Sequence, residues 1–523
     1  KLIWSVSKSL SSIFRALPKN DRGAVTAATA RYAIHRVFLQ RHGWQMKGVA
    51  PGGQMWSSSS PVSALGDRLS GSVHDIFEER LGARGFDQHE LAVLVATLES
   101  LIHGEVVGRL EATYKILGKR LDRKLDKNSV LEIIDTYMAV FLSGRDISEM
   151  SQPQAAKTVD MMSRNFPGWA KVQEFARTTL FEGSGKLIML AFLDVTRIVE
   201  GISEGFGRVM MSECDDMKDR LLELEDGNGT GRISLSEFHA SAVRKGYWQF
   251  RETADYLRHV GALDDSRPSE PRVIIPNYLH TPLNCLASSK YYAVCCPDTC
   301  ESMMAHLEGK IQAPHAAPEV IVDAVSEWLS TSSTSRQALS STLVSKLKDV
   351  AEQNGGVVPL HGRLFAQWIH FVSPRECPYP HLSNTTSNSN GQEFKRITGK
   401  AHAHSRAELA SLAAQSSKAS SERGERGDIA AEDDDEDDVE EAVSAMWAEE
   451  EELVDPTHGV VRLVVEPSQA WYSGACLRGF SMIVAIGSMC AVLMELLTGA
   501  STALRQTTEI GGGGGDGAFA KAE

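Results

Sequence analysis

The sequence predicts a mostly α-helical protein with one transmembrane helix near its C-terminal end. Three observations predict this fold class. Apolar residues recur at helical spacing through residues 71–265, with no β-rich stretch among them. A second helical pattern covers residues 297–372, and an apolar run of membrane-spanning length follows at residues 479–497. The chain has 523 residues, which is enough for several domains that each bury an ample core.

Charge is distributed unevenly along the chain, whose formal net charge is −14. Residues 1–60 carry nine basic residues against one acid, Asp21, whereas residues 428–455 carry 15 acids and no base. The acidic balance therefore reflects one tract and not a uniformly acidic surface. Because only the N-terminal end is basic, we expect no nucleic-acid partner.

The first predicted element is the basic N-terminal segment, residues 1–60, which opens with an amphipathic helix. One stripe of this helix is apolar and consists of Ile3, Val6, Leu10, Phe14 and Leu17. Three interpretations fit: a transit peptide, a helix lying on anionic lipid, and a surface helix that packs its stripe on the next domain. We favour the last. A Gly- and Ser-rich run at residues 51–61 predicts a linker.

Residues 71–265 form the predicted helical domain that holds the main candidate site. Residues 226–237 read Asp-Gly-Asn-Gly-Thr-Gly-Arg-Ile-Ser-Leu-Ser-Glu, which meets each requirement of a twelve-residue calcium loop. Ca²⁺ prefers about six to eight oxygen ligands. The residues at the ligand positions are Asp226, Asn228, Thr230, Arg232, Ser234 and Glu237.

The ligand positions differ in what they offer the ion. Asp226, Asn228 and Thr230 offer side-chain oxygens. Arg232 offers its backbone carbonyl, so its charge is expected to point away. Glu237 closes the shell with both carboxylate oxygens.

Three further positions complete the pattern. Ser234 contributes an oxygen directly or through water. Gly231 lies where the chain must turn sharply, because glycine adopts a positive φ at little cost. Ile233 predicts a short β-bridge to a partner loop. Residues 118–129 have the length of such a loop but are too basic to bind an ion, so they are either a degenerate partner or an ordinary helical hairpin.

This arrangement resembles the EF-hand family of calcium-binding proteins at every ligand position, over residues 212–243. The resemblance implies Ca²⁺ as the cofactor. Only Asp226 and Glu237 are anionic, so the expected affinity is that of a sensor or weaker. A Gly-rich turn between helices and an EF-hand that no longer binds an ion are the alternatives.

Residues 266–381 form a second predicted helical domain with four clustered cysteines, Cys285, Cys295, Cys296 and Cys300. Their spacing is not that of a zinc site. Disulfides, including one with Cys377, and buried free thiols both remain open. The stretches around Cys295 and at residues 359–381 also resemble membrane-tethered, EF-hand-containing proteins of unicellular algae, a resemblance that implies no activity.

No convincing catalytic signature is present, so we expect that the chain is not an enzyme. Residues 201–205 match the nucleophile pattern G-x-S-x-G around Ser203, but they lie in a helical region without a preceding strand. His361 and His370 lie on an apolar-faced helix and are expected to be satisfied core or surface histidines. Residues 384–386, Asn384-Thr-Thr, form a glycosylation acceptor that has meaning only in a lumenal compartment.

The C-terminal part is predicted to anchor the protein. Residues 382–458 are low in apolar residues and are expected to be a disordered acidic linker. Residues 479–497 contain one charge, Glu495, and a helix of this length spans about 28 Å. A flexible Gly-rich tail, residues 498–523, follows. The flanking charges slightly favour a lumenal or extracellular ectodomain.

Together these features predict a membrane-tethered sensor or adaptor that binds Ca²⁺ through a single EF-hand. Calcium binding would reorient the flanking helices and expose an apolar surface to a protein partner. One alternative is a structural membrane protein in which Ca²⁺ only stabilises the fold. The other is an enzyme whose catalytic module is unrecognised.

Overall fold

The computed structural model describes residues 2–47, 84–423 and 443–454, apart from 167, 187, 228, 245–248, 287–288 and 333–338. The described chain is mostly helical, as predicted. Its helices are α1 (Leu2–Ala16), α2 (Ala27–His42), α3 (Gln88–Ile116), α4 (Lys127–Ser143), α5 (Gln152–Asn165), α6 (Trp169–Ser184), α7 (Phe192–Leu222), α8 (Leu235–Arg244), α9 (Ala254–His259), α10 (Ile275–Leu279), α11 (Cys300–Ile311), α12 (Pro318–Ser332), α13 (Ser341–Gln353), α14 (Arg363–Val372), α15 (Gly391–Thr398) and α16 (Arg406–Arg423).

Short antiparallel strands join the loops between these helices. The strands are β1 (Trp44–Met46), β2 (Leu125–Asp126), β3 (Met189–Leu190), β4 (Arg232–Ser234), β5 (Leu263–Asp264), β6 (Arg272–Ile274), β7 (Tyr292–Val294), β8 (His315–Ala316) and β9 (Val358–Pro359). In the described chain, β1 pairs with β7, β2 with β3, and β8 with β9, while β6 lies between β4 and β5.

One local arrangement recurs along the chain: a helix, a loop, a short strand and a second helix that begins at or soon after the strand. The strand and the following helix are β2 and α4, β3 and α7, β4 and α8, β6 and α10, β8 and α12, and β9 and α14. Successive units pair through these strands, β2 with β3, β4 with β6, and β8 with β9. Much of the described chain is therefore a series of paired helix–loop–strand–helix units.

Two long helices connect consecutive pairs. Helix α7 is the second helix of the unit that contains β3 and the first helix of the unit that contains β4. Helix α3 has a similar position, because the bridge between Val25 and Phe86 immediately precedes it. Its start is fixed by a capping box, in which the Asp87 carboxylate accepts the Glu90 N–H at 2.8 Å and the Glu90 carboxylate accepts the Asp87 N–H at 3.0 Å.

Within the described residues, α3 is the one helix whose length and composition would allow it to cross a membrane. Leu91, Leu94, Val95 and Leu98 are buried in the first core, as expected of a core helix. The predicted transmembrane segment at residues 479–497 and the tail that follows it lie outside the described residues.

The N-terminal helix α1 packs against the body of the protein, and this confirms the favoured interpretation of its apolar stripe. Val6, Leu10 and Ile13 are fully buried, and the helix contacts α3 and α11. Only the first turn leaves large apolar groups in solvent, with Trp4 71% exposed. The expected linker at residues 51–61 lies outside the described part.

The apolar residues of the described ranges gather in three cores. The first involves α1 to α7, and the second α11 to α14. In the second core, Trp368 is fully buried and its indole N–H donates to the Leu343 carbonyl at 2.7 Å. The third core lies around the candidate calcium loop and includes Met217, Leu221, Ile233, Phe238 and Val273. The candidate site therefore lies on a packed apolar base.

The described residues of the segment predicted to be a disordered linker, 382–423 and 443–454, form helices and packed loops. Helices α15 and α16 form, and α16 packs along α8. The few apolar residues of this region are well placed, since Phe394, Leu409, Val443 and Val454 are almost fully buried. Main-chain bonds also fix it; Thr253 N–H, for example, donates to the His402 carbonyl at 2.9 Å. Residues 424–442, which carry most of the acidic tract, are not described.

The expected domain boundary at residues 265 and 266 falls inside a small sheet. Strand β5 lies before this boundary and β6 after it, and the two strands pair through Leu263 with Val273 and Asp264 with Arg272. The described residues belong to one compact unit, Lys1–Arg462.

Candidate metal centre

The candidate calcium loop lies between α7, which ends at Leu222, and α8, which begins at Leu235. Its three glycines, Gly227, Gly229 and Gly231, have φ values of 77°, 84° and 65°. These left-handed conformations cost glycine less than any other residue, which explains why glycine alternates with the expected ligands. Since α8 starts two residues before Glu237, that carboxylate projects from the first turn of the helix.

Gly231 faces a second constraint that its neighbouring glycines lack. A Cβ atom built on Gly231 would lie 2.1 Å from the carbonyl oxygen of Pro374, whereas one built on Gly229 would meet no atom within 4 Å. The positive φ of Gly231 confirms the sharp turn predicted there, and the close approach of Pro374 shows that the loop packs directly against the chain that follows α14.

Hydrogen bonds within the loop hold its two ends together. The Asp226 N–H donates to the Arg232 carbonyl at 2.8 Å, and the Thr230 hydroxyl donates to the Asp226 carbonyl at 2.7 Å. The Gly231 N–H donates to the Glu225 carboxylate at 2.6 Å. Glu225 also accepts the Arg375 Nε–H at 2.9 Å, so a residue beyond the loop helps to fix it.

The Asp226 carboxyl lies in surroundings that favour a cation. Burial raises its pKa to about 6. The positive charge of Arg272 and a hydrogen bond from the Ser234 N–H lower this pKa, whereas the negative charges of Glu270 and Glu237 raise it. A half-buried carboxyl that feels two other carboxylates is destabilised in its charged form. A bound cation would remove that cost, which makes the donor set a chemical fit for Ca²⁺.

The second expected anionic ligand, Glu237, is 40% exposed and already has a positive partner. Its Oε2 accepts a hydrogen bond from Arg244 Nη2 at 2.7 Å. Its backbone N–H donates to the Ser234 hydroxyl at 3.3 Å, which orients the first turn of α8. A Ca²⁺ ion would compete with Arg244 for this carboxylate.

The Arg232 side chain points into the interior of the fold but keeps one bond to the loop, because its Nη1 donates to the Thr230 carbonyl at 2.7 Å. The guanidinium is 2% exposed; its Nε donates to Asp264 at 2.9 Å, and its Nη2 lies 3.1 Å from Nε2 of His370. Arg272 Nη2 binds the same Asp264 oxygen at 3.0 Å. His370, which burial and Arg232 keep at a pKa of about 3, is a satisfied core histidine as expected.

The partner of the loop lies downstream, not upstream. Ile233 pairs with Val273 on β6, which confirms the predicted β-bridge. The upstream candidate, residues 118–129, instead contributes β2, which pairs Leu125 with Leu190 on β3. Of the two alternatives for residues 118–129, a degenerate partner of this loop is therefore excluded, because the basic segment belongs to a different pair of units. The downstream partner gave no signal in the sequence, because its loop, residues 260–274, carries two prolines, Pro268 and Pro271, and none of the calcium-loop pattern.

The structure brings five of the six expected ligand residues onto one loop; the sixth, Asn228, is not among the described residues. In the described chain, no three or more His, Cys, Asp or Glu side chains are grouped to hold a metal ion. A group of that kind consists of His, Cys, Asp and Glu side chains alone. The loop has only two carboxylates, and its other expected ligands in the described chain are Thr and Ser hydroxyls and a backbone carbonyl, so it does not form such a group. Hard oxygen donors of this kind suit Ca²⁺.

The clustered cysteines are joined as disulfides. Cys285 is bonded to Cys295, and Cys300 to Cys377, which settles two of the pairings left open. Cys296 is bonded to Cys214 on α7, a partner that sequence reasoning missed because it lies far upstream of the cluster. The last bond ties the helix that enters the calcium loop to the segment after β7.

The two other sequence features have structural explanations. Ser203 lies inside α7, and its hydroxyl donates to the Val199 carbonyl at 3.0 Å, an arrangement that offers no strand-to-helix turn for a nucleophile. His361 is buried, and its Nε2 lies 3.0 Å from Glu308, which also binds Arg36 at 3.0 Å. This buried ionic cluster between α2 and α11 was not anticipated from the sequence.

No family model, curated protein or solved structure matches this chain. The function is therefore argued from the residues of the site and their surroundings.

Proposed function

We propose that the chain binds one Ca²⁺ ion through residues 226–237 and that the ion stabilises the surrounding fold. The observation that carries this proposal is the closed loop itself. Its first and seventh residues, Asp226 and Arg232, are joined by a 2.8 Å main-chain bond, and its eighth, Ile233, pairs with a partner strand. The ion would be held by the Asp226 and Glu237 carboxylates, the Arg232 carbonyl and the side-chain oxygens of Asn228, Thr230 and Ser234.

The donor set and the disulfides together support a weak site. Two carboxylates give a low ligand charge, which in EF-hand loops lowers affinity. Three disulfides favour an oxidising compartment, in agreement with the lumenal or extracellular side expected for the ectodomain. We therefore expect a dissociation constant of about 10⁻⁴ to 10⁻³ M, typical of extracellular calcium modules.

A stabilising role fits the surroundings of the loop better than a sensor that opens. Met217, Leu221 and Phe238, the apolar groups that an opening EF-hand would expose, are packed in the third core and at most 6% exposed. The Cys214–Cys296 disulfide holds the entering helix, and Pro374 packs on Gly231. An opening motion would therefore have to expose this core, move the entering helix against the disulfide and separate Pro374 from Gly231.

Thermal unfolding of the whole chain with and without Ca²⁺ separates these roles, with a hydrophobic dye as a second readout. A stabilising ion raises the melting temperature and leaves dye binding unchanged, because ligand binding to the native state adds RT ln(1 + [L]/Kd) to its stability. Asp226→Ala should abolish the rise. A Ca²⁺-dependent increase in dye binding would instead support the sensor or adaptor and its protein partner.

We further propose that residues 479–497 tether the chain to a membrane as a single transmembrane helix. The support is the strongly apolar run, whose one charge, Glu495, lies near its end, where a charge costs less than at the bilayer centre. The chain should stay with membranes during carbonate extraction, and deletion of residues 479–497 should release it. Extraction of the undeleted chain by carbonate would contradict the tether and leave the calcium proposal intact.

A further inference from the structure

A surface turn presents the acceptor sequence Asn384-Thr385-Thr386. The Thr385 N–H and the Thr385 hydroxyl both donate to the Leu382 carbonyl, at 3.2 and 2.6 Å, which closes the turn. Asn384 lies at its tip, exposed, with a φ of 66°. Asparagine is one of the few side chains that accept this left-handed conformation at modest cost.

The turn projects from a fixed base. On one side, His381 Nε2 lies 2.8 Å from the Gly261 carbonyl, and the Ser383 N–H donates to the Glu452 carboxylate at 3.0 Å. On the other side, the Ser387 N–H donates to the His259 carbonyl at 2.8 Å. A large group on the Asn384 amide would therefore extend into solvent without disturbing the packed chain beneath it.

The disulfides supply the second, independent observation. Six of the eight cysteines are paired in the described chain, and such bonds form and persist in oxidising compartments such as the endoplasmic reticulum lumen. Asn-X-Ser/Thr sequences in surface segments of secreted proteins are acceptors of N-linked glycans. The turn thus combines the acceptor sequence, surface exposure and the matching redox environment.

We propose that Asn384 carries an N-linked glycan. The side-chain Nδ2 forms a bond to the anomeric carbon of an oligosaccharide and gives up one proton. The bond that breaks joins that carbon to the diphosphate of a lipid-linked oligosaccharide donor, and the lipid diphosphate leaves with the bonding electrons. No oxidant or reductant is needed, and the chain supplies only the amide and the Thr386 hydroxyl of the acceptor sequence.

The chain contains a second acceptor sequence, Asn228-Gly-Thr230, inside the candidate calcium loop. A glycan on Asn228 would remove one expected calcium ligand and place a bulky group beside the ion. The calcium proposal therefore requires an unmodified Asn228, and the glycan is assigned to Asn384 alone. The two proposals can fail separately.

The test uses the full chain directed into the secretory pathway of a eukaryotic host and treated with a peptide N-glycosidase. We expect faster gel migration after treatment for the wild type, for Thr386→Ser and for Asn388→Gln, a nearby exposed asparagine outside any acceptor sequence. Asn384→Asp should show no change. Aspartate also accepts the left-handed conformation, so this variant keeps the turn.

Two results would overturn the inference. One is a wild-type chain with its disulfides formed but no migration change on treatment. The other is a change that persists in Asn384→Asp; mass spectrometry of the peptide that contains Asn228 would then show whether the calcium loop is modified. Calcium binding, measured on the deglycosylated chain, reports on the proposed function independently.

Discussion

Ile233 of the candidate calcium loop pairs in antiparallel register with Val273 of β6, and both side chains are fully buried. This pairing joins the loop to a partner that has a strand and a following helix but no calcium-loop pattern. β6 also pairs with β5, so three strands hold the base of the loop. The site is therefore built as one member of a pair in which only one member carries the expected ligands.

Gly231→Ala should destabilise the protein more than Gly229→Ala, although both glycines have a positive φ. An alanine in this conformation costs about 1–2 kcal/mol at either position. At Gly231 the new Cβ would also meet the Pro374 carbonyl, so the backbone must shift. Denaturant unfolding without Ca²⁺ measures both costs. Equal destabilisation of the two variants would show that the loop does not pack on Pro374.

Arg244→Gln should strengthen calcium binding modestly. The arginine holds the Glu237 carboxylate at 2.7 Å and competes with the ion for it. Both groups are largely exposed, so the gain is expected to be no more than about 1 kcal/mol, or roughly fivefold in affinity. Arg244→Lys keeps the charge and serves as the control in the same calorimetric titration. Weaker binding in Arg244→Gln would mean that Arg244 orients Glu237 for the ion.

Replacing Cys214 and Cys296 by serine should cost more stability than replacing Cys285 and Cys295. The first disulfide closes a sequence separation of 82 residues and the second one of 10. Chain entropy then predicts about 4.5 kcal/mol for the first bond and about 2.7 kcal/mol for the second. Denaturant unfolding of the two double variants compares them. A larger loss for the shorter loop would show that local packing, and not loop closure, sets the contribution.

His35→Leu should reduce the sensitivity of the protein to acid. Burial, and secondarily Arg36, lowers the pKa of His35 from 6.5 to about 3. Below pH 6.5 the unfolded chain takes up a proton that the native histidine does not, so stability falls as the pH drops from 6.5 toward 3. At pH 5 this residue accounts for a loss of about 2 kcal/mol. Unfolding free energies of wild type and variant at pH 7 and pH 5 measure it; an unchanged pH dependence would show that His35 is protonated in the native state.

The sequence predicts the helical class and the calcium loop because both depend on local patterns. The positive φ of Gly231 and the β-bridge at Ile233 both follow from residues within the loop. The identity of the partner does not follow from those residues, since Val273 lies on a strand whose own loop does not contain the calcium-loop pattern. The Cys214–Cys296 bond could not be predicted for a similar reason, because a contact between segments far apart in the sequence does not affect the local spacing of residues.

The described part of the segment beyond residue 382 illustrates another limit of reasoning from sequence. Its mean apolar content is low, which argues for disorder when each residue is counted alone. In the fold, a few side chains such as Phe394 and Leu409 are almost fully buried, and main-chain bonds to residues 251–259 supply the rest. Composition gives the number of apolar residues in a segment, but not whether the rest of the fold offers an apolar surface on which they can pack.

Isothermal titration calorimetry of Ca²⁺ into the full chain, wild type against Glu237→Gln, tests the central claim most directly. Glu237 is expected to provide two of the ion's oxygens and half of the ligand charge, so the variant should bind at least about tenfold more weakly, a loss of about 1.4 kcal/mol or more. Glu174→Gln, which removes an exposed charge on α6, should bind like the wild type. Equal affinity for the wild type and Glu237→Gln would contradict the calcium site.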